Sequence, residues 1–267
     1  MTKPNTRSKV EIVPYNPIWP SIFAKESTLL MTALDPANCL HIHHIGSTSV
    51  PGLDAKSIID MIPVVRDILS VDSPTTLDAM SKLGYIAKGE NGLPFRRFFF
   101  KDDPTDGTIR LFHLHVYQEG NPEIEQHLAY RDYLREKPEV AKKYADLKKS
   151  LAQKYPDNMT EYCCEKSKFV TEIGKDIKFE GVLLRDCFTE FEWNEFKRLL
   201  NLEESNFSVE ENNHYFVCYK GISKIIGAVQ LDNGFEMRKF SMEDKHLEDE
   251  FLRLINLWKE HKKVMKS

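Results

Sequence analysis

An aspartate lies in the middle of the most apolar segment of this chain, residues 58–65 (IIDMIPVV). The aliphatic and β-branched side chains around it are typical of a sheet-interior strand that is buried on both faces, with Pro63 near its end. Burying Asp60 there is costly unless a hydrogen-bond partner or a cation compensates its charge. The segment therefore predicts a buried strand and a carboxylate that serves either a hydrogen bond to a loop or a functional site.

A Gly-Ser loop precedes this strand. Residues 39–45 (CLHIHHI) predict a strand, and Gly46-Ser47 opens the segment GSTSVPGLDAKS that follows it. Glycine lets the backbone approach a phosphate closely, and successive N–H groups can form an anion-binding nest. With a carboxylate on the next strand, such a loop supplies the parts of a phosphate-transfer site, where catalysis rests on positioning and charge stabilisation. The alternative interpretation is a plain turn.

Further candidate residues lie on two later strands. Residues 109–118 (IRLFHLHVYQ) predict a strand that places His113 and His115 on the face opposite its apolar residues. Neutral imidazoles there can bind a metal or relay protons, and a solvated polar face is the alternative. The segment FRRFFFKD places Arg96 and Arg97 on opposite faces. One of them could then clamp a phosphate while the other is solvated.

Two cations on helices complete the candidates. Arg131 shares a helix face with His127 and Arg135 at four-residue spacing, and Lys166 lies one turn after Tyr162. Helical lysine and arginine residues are commonly solvated, so a surface position is the alternative for both Arg131 and Lys166.

The charge balance limits the partners. Lys and Arg number 37 against 41 Asp and Glu, which gives a net charge of −4 and no global field for nucleic acid or anionic lipid. The apolar runs are too short for a membrane helix, and MTKPNTRSKV carries no apolar signal segment. Five cysteines suit a reducing compartment. We expect a cytoplasmic protein whose partner is a small molecule or nucleotide, not a membrane or a nucleic acid.

The order of the predicted elements indicates an α+β chain in two parts. Strands and helices up to residue 118 precede three helical segments, which Pro138 and Pro156 separate. Near residue 176 the pattern changes to a strand, a helix, a hairpin around Gly221, a further strand and a last helix. We therefore predict one domain over residues 1–175 and a second over residues 176–267.

Several separate motifs resemble the GrpB family. They are VEIVPYNPIWPSIFAKE, HHIGSTSVPGLDAKSIIDMIPVV, FHLHVYQEGNPEIEQHLAYRDYLREKPEVAKKYADLK and YCCEKSKFV. The resemblance covers residues 10–173 and implies a nucleotidyltransferase-like fold, which is a mixed sheet with helices packed on it. It also implies that the family's characteristic residues carry over to Gly46, Ser47, Pro51, Gly52, Lys56, Asp60, His113, His115, His127, Arg131, Asp132 and Lys166.

One departure from the wider superfamily bears on activity. The active nucleotidyltransferases that this chain resembles carry Asp-x-Asp after the Gly-Ser loop and a third carboxylate on a later strand. Here Ile62 takes the second aspartate position, and the later strand offers His113 and His115. One aspartate with two histidines could hold one metal ion but not the pair that such enzymes use.

Two functions follow from the resemblance. The first is metal-dependent transfer of a nucleotidyl or phosphoryl group from a nucleoside triphosphate to a small acceptor. The second is a non-catalytic module that binds a phosphorylated or anionic ligand. For the enzyme, a divalent cation, Mg²⁺ or Mn²⁺, would bind to Asp60, His113 and His115. The expected catalytic residues are Asp60, His115 and Lys56. The expected phosphate and nucleotide ligands are Gly46, Ser47, Arg96, Arg131 and Lys166.

Residues 181–260 resemble part of a GNAT-type acetyltransferase, through HYFVCYKGISKIIGAVQL, GFEMRKF and HLEDEFLRLINLWKEHK. Working members place a glycine-rich loop before the corresponding helix, and its N–H groups bind the pyrophosphate of coenzyme A. Here the segment is KHLEDEFL, whose Glu248, Asp249 and Glu250 would repel phosphate. The resemblance therefore implies an incomplete α/β unit. Acetyl transfer from acetyl-CoA is the third alternative for function, and the missing glycine loop argues against it. Open sheet edges would favour a homodimer through this unit.

Overall fold

The computed structural model describes residues 10–187, 189–202 and 207–266. The chain divides into two compact units. The first unit extends to residue 173, except that residues 92–95 belong to the second unit with residues 174 onward. No helix within the described ranges is long and apolar enough to cross a membrane. The assignment of residues 1–175 and 176–267 as separate domains stays a prediction.

A five-stranded mixed sheet with strand order β1-β2-β5-β4-β3 forms the base of the first unit. Its strands are β1 (Cys39–Ile45), β2 (Ile59–Val65), β3 (Tyr85–Ala87), β4 (Arg97–Asp102) and β5 (Arg110–Gln118). Strand β2 lies inside the sheet, antiparallel to β1 and parallel to β5. All of its residues except Asp60 are buried. The buried apolar strand predicted around this aspartate is confirmed.

The described part of the first unit also contains five helices. They are α1 (Trp19–Ala33), α2 (Pro74–Lys82), α3 (Pro122–Glu136), α4 (Pro138–Lys154) and α5 (Met159–Gly174). Of these, α1, α2 and α3 contact the sheet. Helices α1 to α4 carry a proline in the first turn, where its missing N–H loses no intrahelical hydrogen bond. Ser73 and Asn121 cap α2 and α3 with side-chain acceptors.

The apolar residues of the sheet face two sides. The main core joins one face of the sheet to α1 and α2 and includes Trp19, Leu30, Met61, Met80 and Leu114. On the other face, Ile62 and Tyr117 contact a cluster that contains Ile124 of α3. A third cluster packs Val50 and Leu53, from the loop after β1, with Leu134, Tyr144 and Ile173 of α3, α4 and α5. The Gly-Ser loop is therefore held against three helices.

The second unit contains a four-stranded antiparallel sheet with strand order β6-β7-β8-β9. Its elements are β6 (Val182–Asp186), α6 (Glu190–Leu199), β7 (His214–Lys220), β8 (Lys224–Leu231), β9 (Met237–Met242) and α7 (Glu248–Lys266). Thr189 and Glu192 form a capping box that begins α6. Helix α7 contributes Phe251, Ile255 and Trp258 to the core of this unit.

The predicted α+β class, with a mixed sheet and helices packed on it, is confirmed. The predicted hairpin around Gly221 is also present, as the β7–β8 pair. Strand β3 was not predicted, because a segment of three residues is too short to show the alternation of a strand. The acetyltransferase likeness of the second unit stays a prediction.

Candidate functional site

Asp60 faces the two histidines of β5. The parallel pairing of β2 with β5 sets Asp60 opposite His113, and the two-residue period of a strand brings His115 to the same face. His113 Nδ1 lies 3.0 Å from Asp60 Oδ1, and His115 Nε2 lies 4.0 Å from the same oxygen. Phe112, Leu114 and Val116 are buried on the opposite face. The faces predicted for β5 are therefore confirmed.

Gly46 lies directly against the same carboxylate. Its φ is +68°, and a Cβ at this position would lie 2.5 Å from Asp60 Oδ2. A side chain would therefore collide with the carboxylate in a backbone conformation that already favours glycine. The close approach brings the Gly-Ser loop and Asp60 to one place.

An arginine contacts the far side of each histidine. Arg110 Nη1 lies 3.1 Å from His113 Nε2, and Arg96 Nη1 lies 3.1 Å from His115 Nδ1. Because a guanidinium only donates hydrogen bonds, these two ring nitrogens are unprotonated acceptors. The ring nitrogens that face Asp60 therefore carry the protons. The network assigns two neutral imidazoles, each held between an arginine and Asp60.

The pKa values of Asp60 and His115 agree with an ionised carboxylate beside a neutral ring. Burial would raise the pKa of Asp60, but the hydrogen bond from His113 and the nearby His115 ring outweigh it and hold that pKa well below its usual range. Burial lowers the pKa of His115 to about 4, and the positive charge of Arg96 adds to this shift. At neutral pH the group thus consists of an ionised carboxylate beside a neutral imidazole.

The donor geometry around Asp60 does not fit the predicted metal. No group of three or more His, Cys, Asp or Glu side chains in the described part of the chain could hold a metal ion. The histidine nitrogens that face Asp60 carry protons, whereas a metal needs their lone pairs. The predicted cation at Asp60, His113 and His115 therefore lacks support from these contacts and stays a prediction.

A buried lysine that the sequence did not single out contacts the Gly-Ser loop from α4. Lys148 is only 3% exposed. Its Nζ donates to Ser47 Oγ at 3.0 Å and to the Asp54 carbonyl at 2.5 Å, and it lies 4.6 Å from the centre of the Tyr144 ring. Both hydrogen-bond acceptors are neutral. A buried ammonium without a carboxylate in contact is costly unless an anion compensates it.

Two lysines predicted from the sequence, Lys56 and Lys166, act electrostatically on Lys148. Burial and the positive charges of Lys166 and Lys56 lower the pKa of Lys148 to about 7, against the opposing effect of Asp54. Burial and Lys166 likewise lower the pKa of Lys56. Lys56 Nζ contacts Met159 Sδ at 3.6 Å and the Tyr162 ring at 5.5 Å. The pKa of Lys166 itself is raised, chiefly by Tyr144, so Lys166 keeps its charge while it lowers the pKa of the other two lysines. Such a group of amines attracts anions.

The arginine residues of α3 hold the loop. Arg131 Nη1 donates to the His44 carbonyl at 3.2 Å, and its Nε binds Asp132 at 2.7 Å. Arg135 donates to the Ser49 carbonyl at 2.8 Å. The surface alternative for Arg131 is wrong, because its side chain is 16% exposed. These contacts position the loop, and a phosphate contact by Arg131 stays a prediction.

The expectation that one of Arg96 and Arg97 is solvated is also wrong. Neither is solvated, since Arg96 is 6% and Arg97 is 1% exposed. Arg97 forms a double hydrogen bond with Asp72, with Nε and Nη2 each 2.7 Å from Oδ2. Arg96 donates to two carbonyls of the preceding loop as well as to His115. Both guanidinium groups are buried because these partners satisfy them, which strand alternation alone cannot reveal.

A signal for Lys148 is present in the sequence of α4. The buried positions of this helix are Ala141, Tyr144, Ala145, Lys148 and Leu151, which follow the three- and four-residue spacing of a core-facing stripe. A lysine at a core-facing position of a helix is unusual, just as an aspartate is unusual in a buried strand. Periodicity could therefore have found Lys148, although only the fold shows that it meets Ser47.

Comparisons with known proteins concern mainly the first unit. The family model described as GrpB protein matches residues 9–176. The UPF0157 protein YqkA of Bacillus subtilis is 43% identical over 173 residues, which are 64% of this chain and 48% of YqkA. The glutamate-rich protein GrpB of Alkalihalophilus pseudofirmus is 31% identical over 167 residues, which are 62% of this chain and 95% of that protein. This chain thus spans about half the length of YqkA.

A solved structure gives a similar match. The crystal structure of the conserved protein GrpB from Enterococcus faecalis has a TM-score of 0.56 and 40% sequence identity. The match covers 62% of this chain and 98% of that chain. It extends the sequence similarity to the arrangement of the backbone.

Proposed function

The chain belongs to the GrpB family, and from the lysine group beside Ser47 we propose that its first unit binds a phosphorylated small molecule. Lys148, Lys56 and Lys166 supply the positive charge, and the Ser47 hydroxyl and the loop backbone at Gly46 supply hydrogen bonds to phosphate oxygens. We call these five residues the lysine site. An anionic ligand fits this chemistry, because the group would bring three ammonium charges together with one carboxylate, Asp60.

The buried position of Lys148 is the observation that carries the proposal. Its Nζ is fixed by two neutral oxygens, of Ser47 and Asp54, and its side chain is 3% exposed. An ammonium has three protons, so one remains for a ligand oxygen once these two acceptors are satisfied. A phosphate would replace the lost hydration of the ammonium and restore its usual charge state.

Titration calorimetry with inorganic pyrophosphate tests the proposal. We expect binding to the wild-type protein and a loss of affinity of at least about tenfold in Lys148→Met, because an ammonium–phosphate hydrogen bond is charge-assisted. The matched control is Lys143→Met, which removes the same charge from an exposed position of α4 and should bind as the wild type does. Equal affinities for the two variants, or no binding at all, would refute the proposal.

A second candidate is the transfer of a nucleotidyl or phosphoryl group from a nucleoside triphosphate. The ionised Asp60 in contact with Gly46 favours it, since such transfer needs negative oxygens near the phosphates to hold Mg²⁺ or Mn²⁺. In that case Asp60 would bind the cation, and Lys56 and Lys166 would offset the developing charge. The proton positions on His113 and His115 argue against a shared metal, so we rank binding first.

Chelation separates the two candidates. Pyrophosphate binding to the lysine site should survive EDTA, because its ligands are ammonium and hydroxyl groups. Nucleotidyl transfer should require the divalent cation and be lost in Asp60→Asn. Release of pyrophosphate from a nucleoside triphosphate that depends on both Mn²⁺ and Asp60 would reverse our ranking.

A further inference from the structure

The contact between Ser47 and Lys148 carries a chemical consequence beyond binding. We propose that Ser47 Oγ is a nucleophile and Lys148 Nζ is its general base, and that the pair accepts the acyl group of an acyl phosphate. This inference rests on the proposed function in one respect only, since Lys56 and Lys166 of the lysine site would bind the phosphate of the acyl phosphate while Lys148 acts as the base. The seryl ester that it predicts is a separate observable.

Geometry comes first. Ser47 Oγ and Lys148 Nζ are 3.0 Å apart, within the range of a nucleophile and its base. The Asp54 carbonyl, 2.5 Å from the same Nζ, fixes the amine from another direction. Ser47 is partly exposed while Lys148 is buried. The serine of the pair therefore lies nearer to solvent than the base does.

Burial and two nearby lysines make the neutral form of Lys148 accessible at neutral pH. The groups that act on it, from four segments, are Lys166 of α5, Lys56 and Asp54 of the loop before β2, Asp60 of β2 and Tyr144 of its own helix. Burial and the two lysines together lower the pKa of Lys148 to about 7. A neutral amine has two N–H groups and one lone pair. One N–H can donate to the Asp54 carbonyl while the lone pair accepts from the Ser47 hydroxyl.

The reaction balances with water as the only co-reactant. Ser47 Oγ bonds to the acyl carbon, and its proton moves to Lys148 Nζ. The bond from the acyl carbon to the phosphate oxygen breaks, and inorganic phosphate leaves with the electron pair. Lys148 loses its proton to solvent and then takes a proton from the water that attacks the ester. That proton returns to Ser47 Oγ as the carboxylic acid leaves. Lys56 and Lys166 stabilise the negative charge that develops on oxygen.

Acetyl phosphate is the probe. After incubation, intact-protein and peptide mass spectrometry should show one acetyl group on Ser47 that hydroxylamine removes, as it removes esters but not lysine amides. The labelling rate should rise with pH and level off above about 7, as the base loses its proton. Ser47→Ala should lose the hydroxylamine-sensitive acetyl group. Lys148→Arg, which keeps the charge but cannot act as a base, should label at least about tenfold more slowly.

Ser150→Ala is the matched control. Ser150 lies at an exposed position of α4, outside the lysine site, and this variant should label like the wild type. Absence of a hydroxylamine-sensitive adduct on the wild-type protein overturns the inference, and so does an unchanged labelling rate in Lys148→Arg. Pyrophosphate binding is measured on the same wild-type sample. Binding without an adduct refutes the nucleophile alone, whereas no binding refutes the proposed function.

Discussion

The two units of this chain differ in what they bury. Among the described residues, ten polar or charged side chains are buried in the first unit, whereas Glu192 is the one in the second. Glu192 has a structural explanation, since it caps α6 and accepts from the Tyr219 hydroxyl at 2.9 Å. Burying a polar group costs free energy unless a partner compensates it. Because most of the buried polar side chains lie in the first unit, we expect the functional site there.

A finer comparison within the first unit separates structural charges from functional ones. Arg97 meets Asp72, and Glu26 accepts from both Lys101 and Tyr85. These buried charges have partners of opposite sign or direct donors, so they fix the fold. Lys148 meets only neutral oxygens within the described chain. A buried charge with a partner of opposite sign stabilises the fold, whereas a buried charge without one indicates a ligand-binding site. The partner is therefore more informative than the burial.

Removal of the largest aromatic side chain of the second core should have the largest effect on stability and none on binding. Trp258 is 2% exposed, and Trp258→Ala should cost about 3–5 kcal/mol of unfolding free energy through the cavity that it leaves. Pyrophosphate affinity of the folded protein should stay at the wild-type value. Chemical denaturation and calorimetry measure the two quantities. A Trp258→Ala variant that folds but loses pyrophosphate affinity would contradict the assignment of binding to the first unit alone.

Loss of the ion pair between Arg97 and Asp72 in the first unit should have the next largest effect on stability. Arg97→Met leaves Asp72 without its partner, and because Asp72 is 32% exposed water can recover part of the lost interaction. We expect a loss of about 2–3 kcal/mol of unfolding free energy. Denaturant titration monitors the change, and the double variant with Asp72→Asn should recover part of it. An unchanged stability would mean that this pair does not support the fold.

Lys148→Met should change stability in the opposite direction. The substitution replaces a buried, unpaired ammonium by an apolar side chain of similar length, so we expect no loss and up to about 1–2 kcal/mol of gain. The same variant loses anion binding. A destabilisation as large as that of Arg97→Met would show that Lys148 is a support like Arg97, and the finer comparison would then fail.

Over a narrow interval above about pH 7, the pH dependence of stability should be a smaller effect with a definite sign. The pKa of Lys148 is about 7 in the folded chain and about 10.4 in an unfolded one. Between these values the unfolded chain binds more protons, so the unfolding free energy should rise with pH. Below about pH 7 both states are protonated and the contribution is constant. The difference between wild type and Lys148→Met should therefore grow in favour of the wild type as the pH rises above about 7.

Part of the site could be predicted from the sequence because it depends on neighbours along strands. Asp60 in an apolar run and two histidines at alternate positions suffice to place three groups on one face of a sheet. The contact between Ser47 and Lys148 joins residues 101 positions apart, and only the packing of α4 on the loop creates it. The burial of Arg97 likewise depends on Asp72, which lies on a separate segment. Local periodicity predicts faces, whereas tertiary packing decides which polar groups meet.

The most direct test of a functional anion site at Lys148 is the number of protons that the protein takes up on binding sulfate, an anion whose own charge is constant near neutral pH. Because an anion stabilises the ammonium form, its binding raises the pKa of Lys148 from about 7. Calorimetry at about pH 7.5 in two buffers of different ionisation enthalpy should show net proton uptake in the wild type and in Lys143→Met. Lys148→Met should show none. Sulfate binding without proton uptake, or uptake that persists in Lys148→Met, would contradict the account.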